Sequence, residues 1–124
     1  MLAISVLEVT EMVCVFCSII EGQIPGNIVY QTDLVTAFRD IDPVAPTHVL
    51  IVPNKHITST EDLSPDEPEL AAELLLAVKQ VAALEQIEQS GYRLIVNTGP
   101  DGHQEVPHLH IHVLGGSPML HGMG

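Results

Sequence analysis

The 124-residue chain contains no tryptophan, only two phenylalanines and two tyrosines, and only four lysines and arginines together. With aromatics at 3%, a platform for stacking single-stranded nucleic acid has almost nothing to be built from. Sixteen acidic residues against four basic ones give a formal net charge of −12, and the first basic side chain is Arg39. Such a chain repels phosphodiester backbones, which argues against nucleic acid as a partner. No stretch approaches the roughly 20 apolar residues of a membrane span. What is abundant is aliphatic: 46% of the residues are apolar, enough for a core, so wholesale disorder is excluded. The length fits one domain.

Met1 to Phe16 is apolar, but it lacks a basic start and is interrupted by Glu8 and Glu11, which argues against a signal peptide. Met12 stands just before Val13 and Cys14. Met1–Glu11 therefore reads as a loose arm, an extra strand or a start placed too far upstream. Cys14 and Cys17 are the two cysteines. Without a secretion signal, this C-x-x-C suits metal or redox chemistry better than a structural disulfide, and the expected compartment is the cytoplasm.

Phe16–Glu21 fits a short helical turn stopped by Gly22. Ile28–Gln31 and Leu34–Arg39 are short β-prone runs around Thr32-Asp33, a plausible hairpin, and Asp42 to Pro46 is a stiff proline loop. Thr47–Val52 reads as a buried strand ended by Pro53. Ser64-Pro65-Asp66-Glu67 has capping-box spacing, although Pro68 leaves the helix start free to move by a few residues. Leu70, Leu74, Val78, Val81 and Leu84 form the apolar stripe of that helix, and Gly91 closes it. Tyr92–Asn97 and His108–Leu114 are the last strands, separated by a glycine-containing loop. The order α-β-β-β-α-β-β predicts a one-domain α+β fold, helices on an antiparallel sheet.

His108-Leu109-His110-Ile111-His112-Val113-Leu114 carries the chemistry. In a strand the three imidazoles share one face, about 6.6 Å apart per step, with the aliphatic residues facing the core. Three readings compete: a structural stripe, a metal site alone, or a catalytic or ligand-binding row. The first requires a hydrogen-bond partner for each buried ring and is the least favoured. The row is favoured, because a ring held in one tautomer presents a nitrogen lone pair to an electrophile such as phosphorus.

This segment, preceded by Asn97 to Pro107 and followed by Gly115-Gly116, resembles the histidine triad (HIT) superfamily, in its nucleotide-binding, nucleoside-phosphoramidase branch. Cys14-Val15-Phe16-Cys17, Ile24-Pro25, Ala37 to Ile41, Ala45 to His48 and Val52 to His56 match in order and spacing. The resemblance implies a HIT-like α+β fold, a five-stranded antiparallel sheet with one long and one short helix. It divides the chain into an N-terminal extension, 1–13, that can be flexible, and a single HIT domain, 14–124.

The resemblance also implies roles. His110 would attack the α-phosphorus of a purine nucleoside monophosphate derivative and form a nucleotidyl intermediate. His112 would bond the phosphate or leaving group, while His108 and His48 orient the rings; by alternation His48 shares the face of Leu50 and Val52. Asp40 would accept both ribose hydroxyls, and Ile41, Phe16 and Ile19 would wall the base. Asn97 and backbone N–H groups near Gln104 and Glu105 would hold phosphate oxygens. Read without the family, Asp40 is a turn acid and Gly99 and Gly102 belong to an ordinary loop. Cys14, Cys17, His56 and His108 resemble the zinc site of a subset of the family, structural rather than catalytic; free thiols in a helical turn are the alternative.

The pattern departs from the family at His103, usually glycine, and at Glu105, often a serine that helps the leaving group. A Glu105 side chain pointing outward would leave only its N–H to contribute. The tail lacks the usual tryptophan, and His121 is expected to be exposed without a role. The implied activity is hydrolysis of the P–N bond in adenosine-type purine nucleoside 5′-phosphoramidates by a homodimer joined at the last strands, with no catalytic metal. The alternatives are a dinucleoside polyphosphate hydrolase or nucleotidyl transferase, a nucleotide-sensing module with little turnover, and a zinc protein without nucleotide function.

Overall fold

The computed structural model describes residues 14–120 and 122; the extension 1–13 and His121 lie outside the described residues. Helix α1 (Val15–Ile20) leads into strands β1 (Ile28–Gln31), β2 (Val35–Arg39) and β3 (Thr47–Pro53). Helix α2 (Pro68–Leu84) precedes β4 (Tyr92–Ile95) and β5 (Ile111–Gly115). The five strands form one antiparallel sheet in the order β1-β2-β3-β5-β4. The α+β architecture read from the sequence holds.

Strand β3 is buried along its whole length at the sheet centre, so period-2 alternation deals its side chains to two cores. Val49 and Ile51, with Val35, Ala37, Ile111 and Val113, pack beneath α2. Leu50 and Val52, with Phe38, pack on the opposite face against Phe16 and the two cysteines of the α1 segment. The second face carries the chemistry.

Several boundaries differ from the sequence reading, each for a local reason. Helix α2 starts at Pro68, not in the Ser64–Glu67 box: proline has no N–H to donate and disfavours helical geometry at the preceding residue. Ser64 Oγ instead accepts the Asp66 N–H in a turn. The helix ends at Leu84 rather than near Gly91, because Gln86 takes the left-handed conformation at φ 59°. The Gln86 N–H then bonds the Ala83 carbonyl and the Ile87 N–H bonds the Ala82 carbonyl, a Schellman closure. Leu84 consequently turns outward, 56% exposed, and Ile87 fills the core instead.

The ladder of β5 begins only at Ile111, three residues later than the alternating pattern suggests, while β4 stops at Ile95. Continuing the β3–β5 register would set Leu109 opposite Pro53, which cannot donate. The Leu109 N–H bonds the Ile57 carbonyl at 2.7 Å instead. Leu109 is thus anchored to the loop after β3 and not to the ladder.

Candidate active site

That early departure from the ladder splits the triad. His110 and His112 stay side by side in the cleft, ring centroids 4.9 Å apart. His108 is fully buried and turned to the cysteines.

The heavy-atom partners assign the tautomers. The Val44 N–H donates to His48 Nδ1 at 3.2 Å, so the His48 proton sits on Nε2. That Nε2–H donates to His112 Nδ1 at 2.9 Å, which leaves the proton of a neutral His112 on Nε2, available as a donor. His110 Nδ1–H donates to the His108 carbonyl at 2.8 Å, so Nε2 of the neutral ring keeps its lone pair. Phe16 meets the His110 ring edge-on, centroids 5.2 Å apart, and restrains its rotation.

Burial sets the charge of these rings. Desolvation lowers the His48 pKa, opposed by the nearby charges of Asp40 and Asp42. His112 is lowered to about 4, first by burial and then by His110 and His48, with Asp40 and Glu105 opposing. Both rings are therefore neutral near pH 7, as the tautomer assignment requires.

Asp40 and Ile41 follow the end of β2, and with Phe16, Ile19, His110 and His112 they line a cleft of about 480 Å³. Asp40 lies beside the imidazoles, its Oδ2 3.4 Å from His48 Nε2, while its Oδ1 accepts the Asp42 N–H. Asn97, His103 and Glu105 line the cleft from the side of the loop before β5.

That loop is tightly built. Asn97 donates to the Gly102 carbonyl at 2.7 Å, and a Cβ at Gly102 would collide with the Thr98 carbonyl. His103 does adopt positive φ, 61°. Gln104 is not a cleft residue: its N–H is taken by the Gly99 carbonyl and its side-chain amide bonds the Thr58 and Val106 carbonyls. The Glu105 side chain points outward, 78% exposed, 3.2 Å from His103.

On the far side of His108, the ligand atoms of Cys14, Cys17, His56 and His108 all lie within 4.8 Å of one another. His108 Nε2–H donates to the Pro53 carbonyl, which leaves Nδ1 bare and aimed at Cys14 Sγ (3.3 Å) and Cys17 Sγ (3.6 Å). Cys17 Sγ lies 3.2 Å from His56 Nδ1. A tetrahedral zinc site has sulfur–nitrogen edges of about 3.5 Å, so the donor set fits that ion in kind and in spacing. His108 is lowered to about 4, chiefly by burial, partly offset by the Pro53 hydrogen bond, with His56 and His110 lowering it further. Neutral nitrogen is what a metal ligand requires.

Sequence reasoning brought together every residue of these two clusters, but it missed their second partners. The Val44 N–H, the Pro53 carbonyl and the His108 carbonyl fix the ring tautomers, and main-chain groups leave no mark in composition or spacing. Phe38, Leu50, Pro25 and Val106 also line the cleft. The alternation that places Leu50 beside His48 was the available signal.

The fold is that of the histidine triad class, and direct comparison agrees. The HIT domain family matches residues 21–119. A purine nucleoside phosphoramidase from Escherichia coli (strain K12) is 49% identical over 105 residues, covering 85% of this chain and 88% of that protein. A histidine triad protein from Clostridium difficile superposes with a TM-score of 0.86 at 41% identity, covering 90% of this chain and 97% of that one. A zinc-bound histidine triad family protein from Mycobacterium smegmatis has a TM-score of 0.75 at 29% identity, covering 85% and 76%. The chain belongs to the HIT family.

Proposed function

We propose that the protein hydrolyses the P–N bond of purine nucleoside 5′-phosphoramidates, of adenosine type, through a covalent nucleotidyl group on His110. The observation that carries the reading is the 2.8 Å hydrogen bond from His110 Nδ1–H to the His108 carbonyl. It spends one ring nitrogen on the main chain and leaves the other as a directed nucleophile in a cleft sized for a nucleotide. The relationship to the Escherichia coli phosphoramidase supports the substrate class.

His110 Nε2 forms a bond to phosphorus as the P–N bond breaks. The departing nitrogen takes the bonding pair together with a proton from water at the open cleft mouth. A second water then attacks phosphorus, the P–N bond to His110 breaks with its pair returning to Nε2, and the water's proton goes to solvent. His112 Nε2–H donates to a phosphoryl oxygen throughout, held by the chain from Val44 through His48.

Asp40 accepts the ribose hydroxyls, and the base lies against Phe16 and Ile19. Ile41, 97% exposed at the rim, is covered when a base lies against it. The second Asn97 amide hydrogen and the Glu105 N–H hold phosphate oxygens, with Gln104 fixing their loop. Cys14, Cys17, His56 and His108 hold a structural zinc ion, which ties α1 to the loops around the triad and supplies no step of the reaction.

Residues 14–124 form a single HIT domain. Two copies join along β4, an outer strand whose Tyr92 and Leu94 are 39% and 40% exposed. No helix among the described residues is long and apolar enough to cross a membrane.

Replacing His110 with Ala tests the reading. Turnover of adenosine 5′-phosphoramidate is lost while AMP binding, measured by calorimetry, persists. A variant that still turns over would contradict it.

A further inference from the structure

Few cations line the cleft among the described residues. Arg39 is the one lysine or arginine among the described residues that line it. Its guanidinium is held by both carboxylate oxygens of Glu85, each at 2.6 Å, and is already neutralised. What the mouth does present is Glu105, paired across 3.2 Å with His103, both side chains largely exposed.

These two flank Gln104, whose side chain is pinned to the Thr58 and Val106 carbonyls and to the Gly99 N–H. The pair therefore has a fixed root and a free, wet tip. It lines the same cleft as His110 and His112, and the charge of Glu105 is felt at His112. A carboxylate there repels a substrate phosphate unless the departing group brings a positive charge.

We propose that Glu105, backed by His103, selects the leaving group: it favours phosphoramidates whose departing amine carries a second, cationic group, and disfavours anionic leaving groups such as polyphosphates. The inference rests on the phosphoramidase reading and deepens it. The incoming ammonium replaces the His103 imidazole as partner of the carboxylate, so the contact forms at the mouth without disturbing the buried rings. Among the described residues that line the cleft, an anionic leaving group finds no unpaired lysine or arginine to replace the water it sheds.

The test compares three adenosine 5′-phosphoramidates: of propylamine, of 1,3-diaminopropane through one nitrogen, and of β-alanine. The wild type should favour the ammonium derivative over the propyl derivative by about threefold in kcat/KM, with the carboxylate derivative lower by a similar factor, as exposed ion pairs allow. Raising the salt should compress both ratios. Glu105→Gln should bring them towards one, and Glu105→Lys should invert their order. Ratios unchanged in both variants would overturn the selecting role while leaving the phosphoramidase reading intact. If none of the three compounds is turned over, that reading falls and this proposal falls with it.

Discussion

His48 Nε2 lies 2.9 Å from His112 Nδ1, and this one hydrogen bond decides which nitrogen His112 offers to the cleft. The two residues sit on adjacent strands two residues out of register, since Leu50 and not His48 is the direct partner of His112. A diagonal contact of this kind suits side chains long enough to bridge it.

Replacing His48 with Leu leaves His112 Nδ1 buried and unpaired, and frees the ring to carry its proton on the wrong nitrogen. A loss of about 1–3 kcal/mol, roughly five- to 150-fold in kcat/KM, is expected. His48→Gln, whose amide can still donate, should recover part of it. Steady-state kinetics of the two variants check this; equal activities would sever the His48–His112 link from catalysis.

The buried rings also make stability depend on pH. The His112 pKa is lowered from 6.5 to about 4 in the folded chain, so between those values the unfolded chain binds more protons. Stability from this source is complete above pH 6.5 and is lost as the pH falls towards 4. Chemical denaturation across pH 4–7 should show the decline, and His112→Asn should make it shallower, with His108 and His48 supplying what remains.

The proposed zinc site at Cys14, Cys17, His56 and His108 would stabilise the folded chain by about 2.7 kcal/mol when free zinc exceeds its Kd about a hundredfold. A chelator should lower the melting temperature of wild-type protein and leave that of Cys17→Ala unchanged. A wild type indifferent to the chelator, with no zinc by elemental analysis, would dismiss the ion.

The closure of α2 yields a prediction of opposite sign. Gln86 holds φ 59°, where a side chain is strained and glycine is not. Gln86→Gly should therefore stabilise the protein by about 1 kcal/mol in urea unfolding, far from the cleft. A destabilised variant would place the strain elsewhere.

Much of this was legible in the sequence. Alternation in His108–Leu114 separates core from site side chains, and the stripe from Leu70 to Val81 marks the covering helix. The break between His108 and His110 was not, because it depends on Pro53, a residue distant in sequence that meets the triad only once β3 and β5 pair. Gln86 in a position that normally favours glycine drew attention to Gly91 instead. The Arg39–Glu85 clamp, which occupies the one arginine among the described residues that line the cleft, joins residues 46 positions apart and has no local signature.

The central claim is that His110 Nε2 bonds to phosphorus. Protein quenched in alkaline denaturant during turnover of adenosine 5′-phosphoramidate, then digested at high pH for mass spectrometry, tests it most directly. An added adenylyl mass is expected on the peptide containing His110, absent from His110→Ala. Turnover without that adduct on any rapid-quench time point, or an adduct on another residue, would contradict it.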